Sequence, residues 1–186
     1  MGNTTFLSWM RSGALAGLLL LVPAAIPAFS ETLSPQSTEV HNQLKDFRNQ
    51  AFALRKEAST LKSYTRGRLN WLSHADRLNN MREHVNELGQ RLQALEQAKV
   101  VGTGSHQMAI ENARPHLAAT ARQLTEAIEL LNESHGRLQM LPYTETVSDL
   151  YEHTHSLYQT VDTILDYENA RVRLDKLDLP ASADQS

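Results

Sequence analysis

The sequence predicts an all-α protein, an up-down-up-down antiparallel four-helix bundle of long helices. Three observations predict it. Trp71, His74, Leu78, Met81, Val85, Leu88, Leu92 and Leu95 form an unbroken row whose steps alternate between three and four residues. That spacing keeps one stripe of a helix against a partner, as in a coiled-coil seam. Similar rows recur three more times along the chain. Strict alternation of apolar and polar residues never persists and β-branched residues are sparse, so no strand is expected.

Residues 1–30 are expected to be an export signal. Arg11 is their one charged side chain, Ala14 to Val22 is a short apolar run, and Pro23 and Pro27 follow it. Ala28 and Ser30 supply the small residues that a signal peptidase requires, which places cleavage after Ser30. The competing reading is a retained membrane anchor. Ser12 to Ser30 spans only 19 residues, with both prolines in its second half, close to the minimum for a membrane span. Cleavage is therefore expected, with a periplasmic or secreted product that keeps no integral membrane segment.

Residues 31–179 are read as the bundle domain and 180–186, after Pro180, as a disordered tail. The first helix is expected near Ser34 and Pro35, a capping residue before a proline at the first helical position. Its row is Val40, Leu44, Phe47, Ala51, Leu54, Ala58 and Leu61, ending where Gly67 can take a positive φ. The second helix carries the opening row from about Arg68 to Lys99. Val100 to Gly104 forms a turn, with Ser105 as the cap of helix three. Helix three shows Ile110, Ala113, Leu117, Ala121, Leu124, Ile128 and Leu131. Pro115 inside it predicts a kink or restart, and Gly136 closes it. Pro142 marks the entry to helix four, with Val147, Leu150, Leu157, Val161 and Ile164. A neighbouring row, Tyr151, Tyr158, Leu165 and Val172, widens its apolar face to reach two partners.

Composition narrows the chemistry. The chain has no cysteine, which excludes disulfides, thiolate metal sites, a lipid anchor on cysteine and haem attached through CxxCH. The net charge of −3 argues against nucleic acid, whose binding needs a clustered cationic face. Charge is uneven nonetheless: residues 31–99 carry a net of +3 and residues 100–186 a net of −7. Complementary hairpins that help to fix topology account for this asymmetry.

Candidate ligands are few. His74 lies in a core row, where an imidazole must find a partner because an unsatisfied buried polar group costs about 1–3 kcal/mol. The expected partner is a side chain or carbonyl across the bundle, and the alternative is a metal or haem. Glu152 and His155 form a Glu-x-x-His pair. A ferritin-like di-iron centre needs two such pairs on two helices, and no second pair occurs. Met81 and Met108 could serve a non-covalent haem with His74 or His155, although a methionine in a core row usually only packs. No GxSxG, HExxH, P-loop or Gly-rich nucleotide fingerprint occurs, so no catalytic residue and no cofactor are expected. Asn70, Asn79, Asn80 and Asn86 crowd helix two beyond what helix propensity favours, a hint of a polar contact surface.

The stretch WLSHADRLNNMREHVNELGQRLQALEQA, with AIENARPHL, AIELLNE and LDYENAR, resembles uncharacterised exported helical proteins of environmental bacteria. The resemblance covers most of residues 31–179, and the Trp-x-x-His-Ala-Asp start of helix two is its most distinctive part. It implies an exported bundle and no activity. The function expected from the sequence is a non-catalytic interaction or envelope-associated module. The alternative is a metal- or haem-binding bundle using His74 or Glu152 and His155. A protein partner is expected, or self-association if Tyr151 or Tyr158 stays exposed.

Overall fold

The four rows become four α-helices, α1 (Pro35–Tyr64), α2 (Trp71–Ala98), α3 (Gly104–Glu133) and α4 (Leu141–Leu177), with a 3₁₀ turn at Lys99–Val101. The computed structural model describes residues 35–67, 70–133, 138 and 141–177. The expected export signal, Ser34, Gly136 and the tail lie outside the described residues. At about 1.5 Å per residue the helices are roughly 42–56 Å long. No strand occurs among the described residues.

Each helix is held by the row that predicted it. The whole expected row of α1 is buried, from Val40 to Leu61, and so are His74, Leu78, Met81, Val85, Leu88, Leu92 and Leu95 of α2. Trp71 is the exception, 43% exposed. It is the first residue of α2, where Asn70 caps the helix by accepting the Ser73 N–H at 3.1 Å. The helix therefore starts three residues later than Arg68, and its first side chain stands at the rim. In α3 the rotational phase differs from the sequence reading. Ala109, Thr120 and Ala127 are buried while Ala121 and Ile128 are only half-buried. In α4, Leu165 is fully buried and Ile164 partly so.

The helices depart from expectation in three further places. Gly67 does not take a positive φ. Instead α1 unwinds through short-range bonds, Arg66 N–H to Ser63 C=O at 3.2 Å and Gly67 N–H to Tyr64 C=O at 3.0 Å, which tighten the last turn. Ser105 lies inside the first turn of α3 rather than capping it. Helix α3 also runs unbroken through Pro115. The proline is exposed, so its ring and the freed Glu111 carbonyl lie on the solvent side and the helix does not restart.

Helices consecutive in sequence are neighbours in space, and α1 also packs on α4. Between α1 and α4, Arg48 pairs with Asp162 at 3.5 Å and Lys62 with Glu152 at 3.3 Å. Between α1 and α2, Glu57 pairs with Arg77 and Gln50 meets His84 at 2.8 Å. In both cases the partners run in opposite order along the two helices. The basic first half of the chain thus faces the acidic last helix, each exposed pair contributing about 0–1 kcal/mol. Among the described residues, no helix is long and apolar enough to cross a membrane.

Gly89 sits in the interior of α2, and a Cβ built there meets nothing within 4 Å. It is not a close-approach point between helices. Gly89→Ala should therefore stabilise the fold by about 0.5–1 kcal/mol through helix propensity alone, read as a higher urea midpoint with unchanged slope.

Candidate functional site

The residues singled out by sequence are each engaged locally. His74 is buried, and its Nδ1 lies 2.9 Å from the Tyr143 hydroxyl. The Tyr64 ring meets it edge-on at 5.7 Å. Burial lowers the His74 pKa and raises that of Tyr143 well above its ordinary value, so both hold their neutral forms. This is the cross-bundle partner that a core histidine requires. Glu152 is 60% exposed on its salt bridge to Lys62. His155 stacks on Tyr151 with ring centroids 5.9 Å apart, and its Nδ1 is buried without a hydrogen bond. Met81 is packed in the core whereas Met108 is exposed. Tyr151 and Tyr158 are half-buried, the first under Lys62 and the second under Arg55.

A different group converges. His41 of α1, His106 of α3 and Glu168 of α4 bring one ligand-type atom each to within 4.8 Å of one another, and all three are buried. Among the described residues no other set of three histidine, aspartate or glutamate side chains does so. His106 Nε2 lies 2.8 Å from Glu168 Oε2, His41 Nδ1 lies 3.0 Å from the same oxygen, and the two nitrogens are 3.4 Å apart.

The position of His106 follows from how α3 begins. Thr103 Oγ1 accepts the His106 N–H at 3.2 Å, and His106 Nδ1 accepts the Thr103 N–H at 3.1 Å. This is a capping box in which histidine replaces the usual Glu or Gln at the third helical position. Nδ1 is thereby an acceptor, so the ring hydrogen resides on Nε2 and is donated to Glu168. The Thr103 hydroxyl donates in turn to Glu168 Oε1 at 2.9 Å. With His41 donating from Nδ1, one carboxylate accepts three hydrogen bonds from two helices and a helix cap.

Gly102 leaves room for this arrangement. A Cβ there would come within 3.0 Å of His106 Cβ and 3.3 Å of Val40 Cγ1. Its φ of −80° is ordinary, so contact rather than conformation calls for glycine.

The electrostatics follow the hydrogen bonds. Burial by itself would raise the Glu168 pKa. The bonds from His106 and Thr103, the attraction of His106 and the bond from His41 outweigh burial and hold it at about 2. A carboxylate with three donors behaves in this way.

Sequence reasoning missed all three residues. The available signals were positional: His106 lies four residues before Ile110 and Glu168 three after Leu165, both in phase with the core rows. His41 adjoins Val40. No protein-family model, curated protein or solved structure matches the chain.

Two measurements check this description. Because the Glu168 pKa is lowered on folding, the unfolded chain binds more protons between about 2 and 4.5. The stability that Glu168 contributes is thus full above pH 4.5 and lost as pH falls towards 2, by about 3 kcal/mol. Urea titrations across that range, in buffer containing a chelator, should show the decline, and Glu168→Gln should flatten it. Separately, Gly102→Ala should destabilise the protein by about 1–3 kcal/mol through overpacking against His106, read from the urea midpoint at neutral pH.

Proposed function

We propose that the chain is an exported, non-catalytic helical bundle that works by contacting another protein of the cell envelope, in the periplasm or outside the cell. The observation carrying this reading is the distribution of exposed apolar side chains. Ten large ones are exposed among the described residues. Six of them are Val100 and Val101 of the 3₁₀ turn, Met108 near the start of α3, and Tyr167, Leu174 and Leu177 near the end of α4, the segments that flank the bond between Thr103 and Glu168. The other four, Phe52, Trp71, Leu72 and Leu141, lie elsewhere, and a concentration of exposed apolar side chains of this kind is characteristic of a contact surface.

The rest of the sequence and fold agree with this role. The N-terminal segment has the composition of an export signal. The long rows commit most of the apolar content to packing helices together. In this reading the helices alternate direction, up-down-up-down, supported by the opposite order of partners along α1 and α4 and along α1 and α2. His74 bonds Tyr143, Glu152 pairs with Lys62 and His155 stacks on Tyr151, contacts that support a packing and surface role for these residues.

Photo-crosslinking in the exporting cell tests the proposal. A crosslinker at Val100 or Leu174 should trap discrete envelope proteins in the fraction outside the cytoplasm. One at Arg122, exposed in the middle of α3, should not. Indistinguishable adducts from both positions, or a product confined to the cytoplasm, would end the reading.

A further inference from the structure

We infer that His41, His106 and Glu168 form a binding site for a zinc-like divalent transition-metal ion, independent of the contact surface proposed above. Two imidazole nitrogens and a carboxylate oxygen are a ligand set suited to zinc, which binds them at about 2.0–2.2 Å. Tetrahedral coordination at those lengths separates ligand atoms by roughly 3.3 Å. The observed 2.8 and 3.0 Å separations need to open by only a few tenths of an ångström, and the 3.4 Å between the two nitrogens already fits. The ligands come from three helices and are buried, so their side chains are already ordered. His41 retains 11% side-chain exposure, which gives the ion an entry and leaves a fourth position for water.

The same geometry defines the competitor. Without metal, hydrogens on His41 Nδ1 and His106 Nε2 occupy the directions that the ion would take. To coordinate, each ring shifts its hydrogen to its other nitrogen. For His106 that nitrogen is Nδ1, which now accepts the Thr103 N–H. A metal-bound histidine ordinarily turns its second nitrogen to an acceptor; here it turns to a donor. Metal binding therefore breaks one half of the α3 capping box. The site binds more weakly than one with an acceptor behind the histidine, and the start of α3 reports its occupancy.

The test uses the full chain recovered from an exporting host, stripped with chelator and titrated with zinc at pH 7.5 against a chromophoric competitor. One equivalent should bind, and His41→Ala, His106→Ala and Glu168→Gln should each weaken that binding at least tenfold. Long-range ¹H–¹⁵N spectra should show His106 changing from the Nε2–H to the Nδ1–H tautomer, with the Thr103 amide resonance moving in step. Binding at surface histidines would leave both signals unchanged. The inference is overturned by zinc binding that survives these substitutions, by an unchanged His106 tautomer at saturation, or by no binding at micromolar zinc. His41 is the most exposed of the three, at 11% of its side chain, so His41→Ala together with the wild-type tautomer decides the matter even if Glu168→Gln fails to fold.

Discussion

A buried carboxylate must be bonded on every side or it is not tolerated, and the Glu168 end of this bundle is organised around that requirement. Transfer of an unpaired carboxylate out of water costs several kcal/mol, far more than one packed leucine returns. Glu168 meets the requirement with donors from α1, from α3 and from the cap that begins α3. Two of the supplying groups are themselves fixed, His106 by the Thr103 amide and Thr103 by the His106 amide, in the room that Gly102 leaves. The position of α3 relative to α1 and α4 is in this way specified by direction and distance. Apolar packing alone would specify it only by area.

Apolar rows with a seven-residue rhythm share a weakness: a slip of one heptad restores nearly the same contacts. Two polar clusters remove that degeneracy. One is His41–His106–Glu168; the other joins Tyr64, His74 and Tyr143. On α1 they are separated by 23 residues, about 35 Å of helix, and between them the stripe is aliphatic and aromatic. Both lie near helix termini, where backbone N–H groups lack intrahelical partners and polar side chains find work as caps. A polar triad placed mid-bundle would have only side chains to satisfy it. A heptad slip would leave a carboxylate and two histidines without partners, a penalty that no apolar contact offsets.

The helices were legible because their rows are long and regular, and regularity over eight positions outweighs the weak propensity of any one residue. What the rows could not give was rotation within a turn or the behaviour of the ends. The α3 row included Ala121 and Ile128, whereas packing against both α2 and α4 turns Thr120 and Ala127 inward. Trp71 fits the row by number, yet it is the first residue of α2 and stands 43% exposed at the rim. The polar cluster was harder still. Its members are separated by 65 and 62 residues and come together only once three helices are packed, and sequence spacing along one helix is blind to that. Glu-x-x-His at Glu152 and His155 has the spacing of a ligand pair, but the rotation of α4 sends the glutamate to solvent and the histidine against Tyr151. Thr103-x-x-His106 was readable in principle as a capping box, had histidine been admitted at the position that Glu and Gln usually fill.

Stability alone gives no reason for such a cluster. Replacing a buried ion-paired triad by apolar side chains of similar volume is commonly neutral or stabilising, while removing one member is severe. His41, His106 and Glu168 are therefore an arrangement that works only as a whole, and its benefit lies in something that three leucines could not do. Register is one such benefit, because only a group with directional bonds can reject a near-equivalent packing. The capacity to hold a cation is the other, because the donors that satisfy the carboxylate present the nitrogens that an ion would use. The two benefits share the same atoms. The strength of the hydrogen-bonded state sets how strongly an ion must bind to displace it, and the Thr103 amide is the group at which the two states exclude each other.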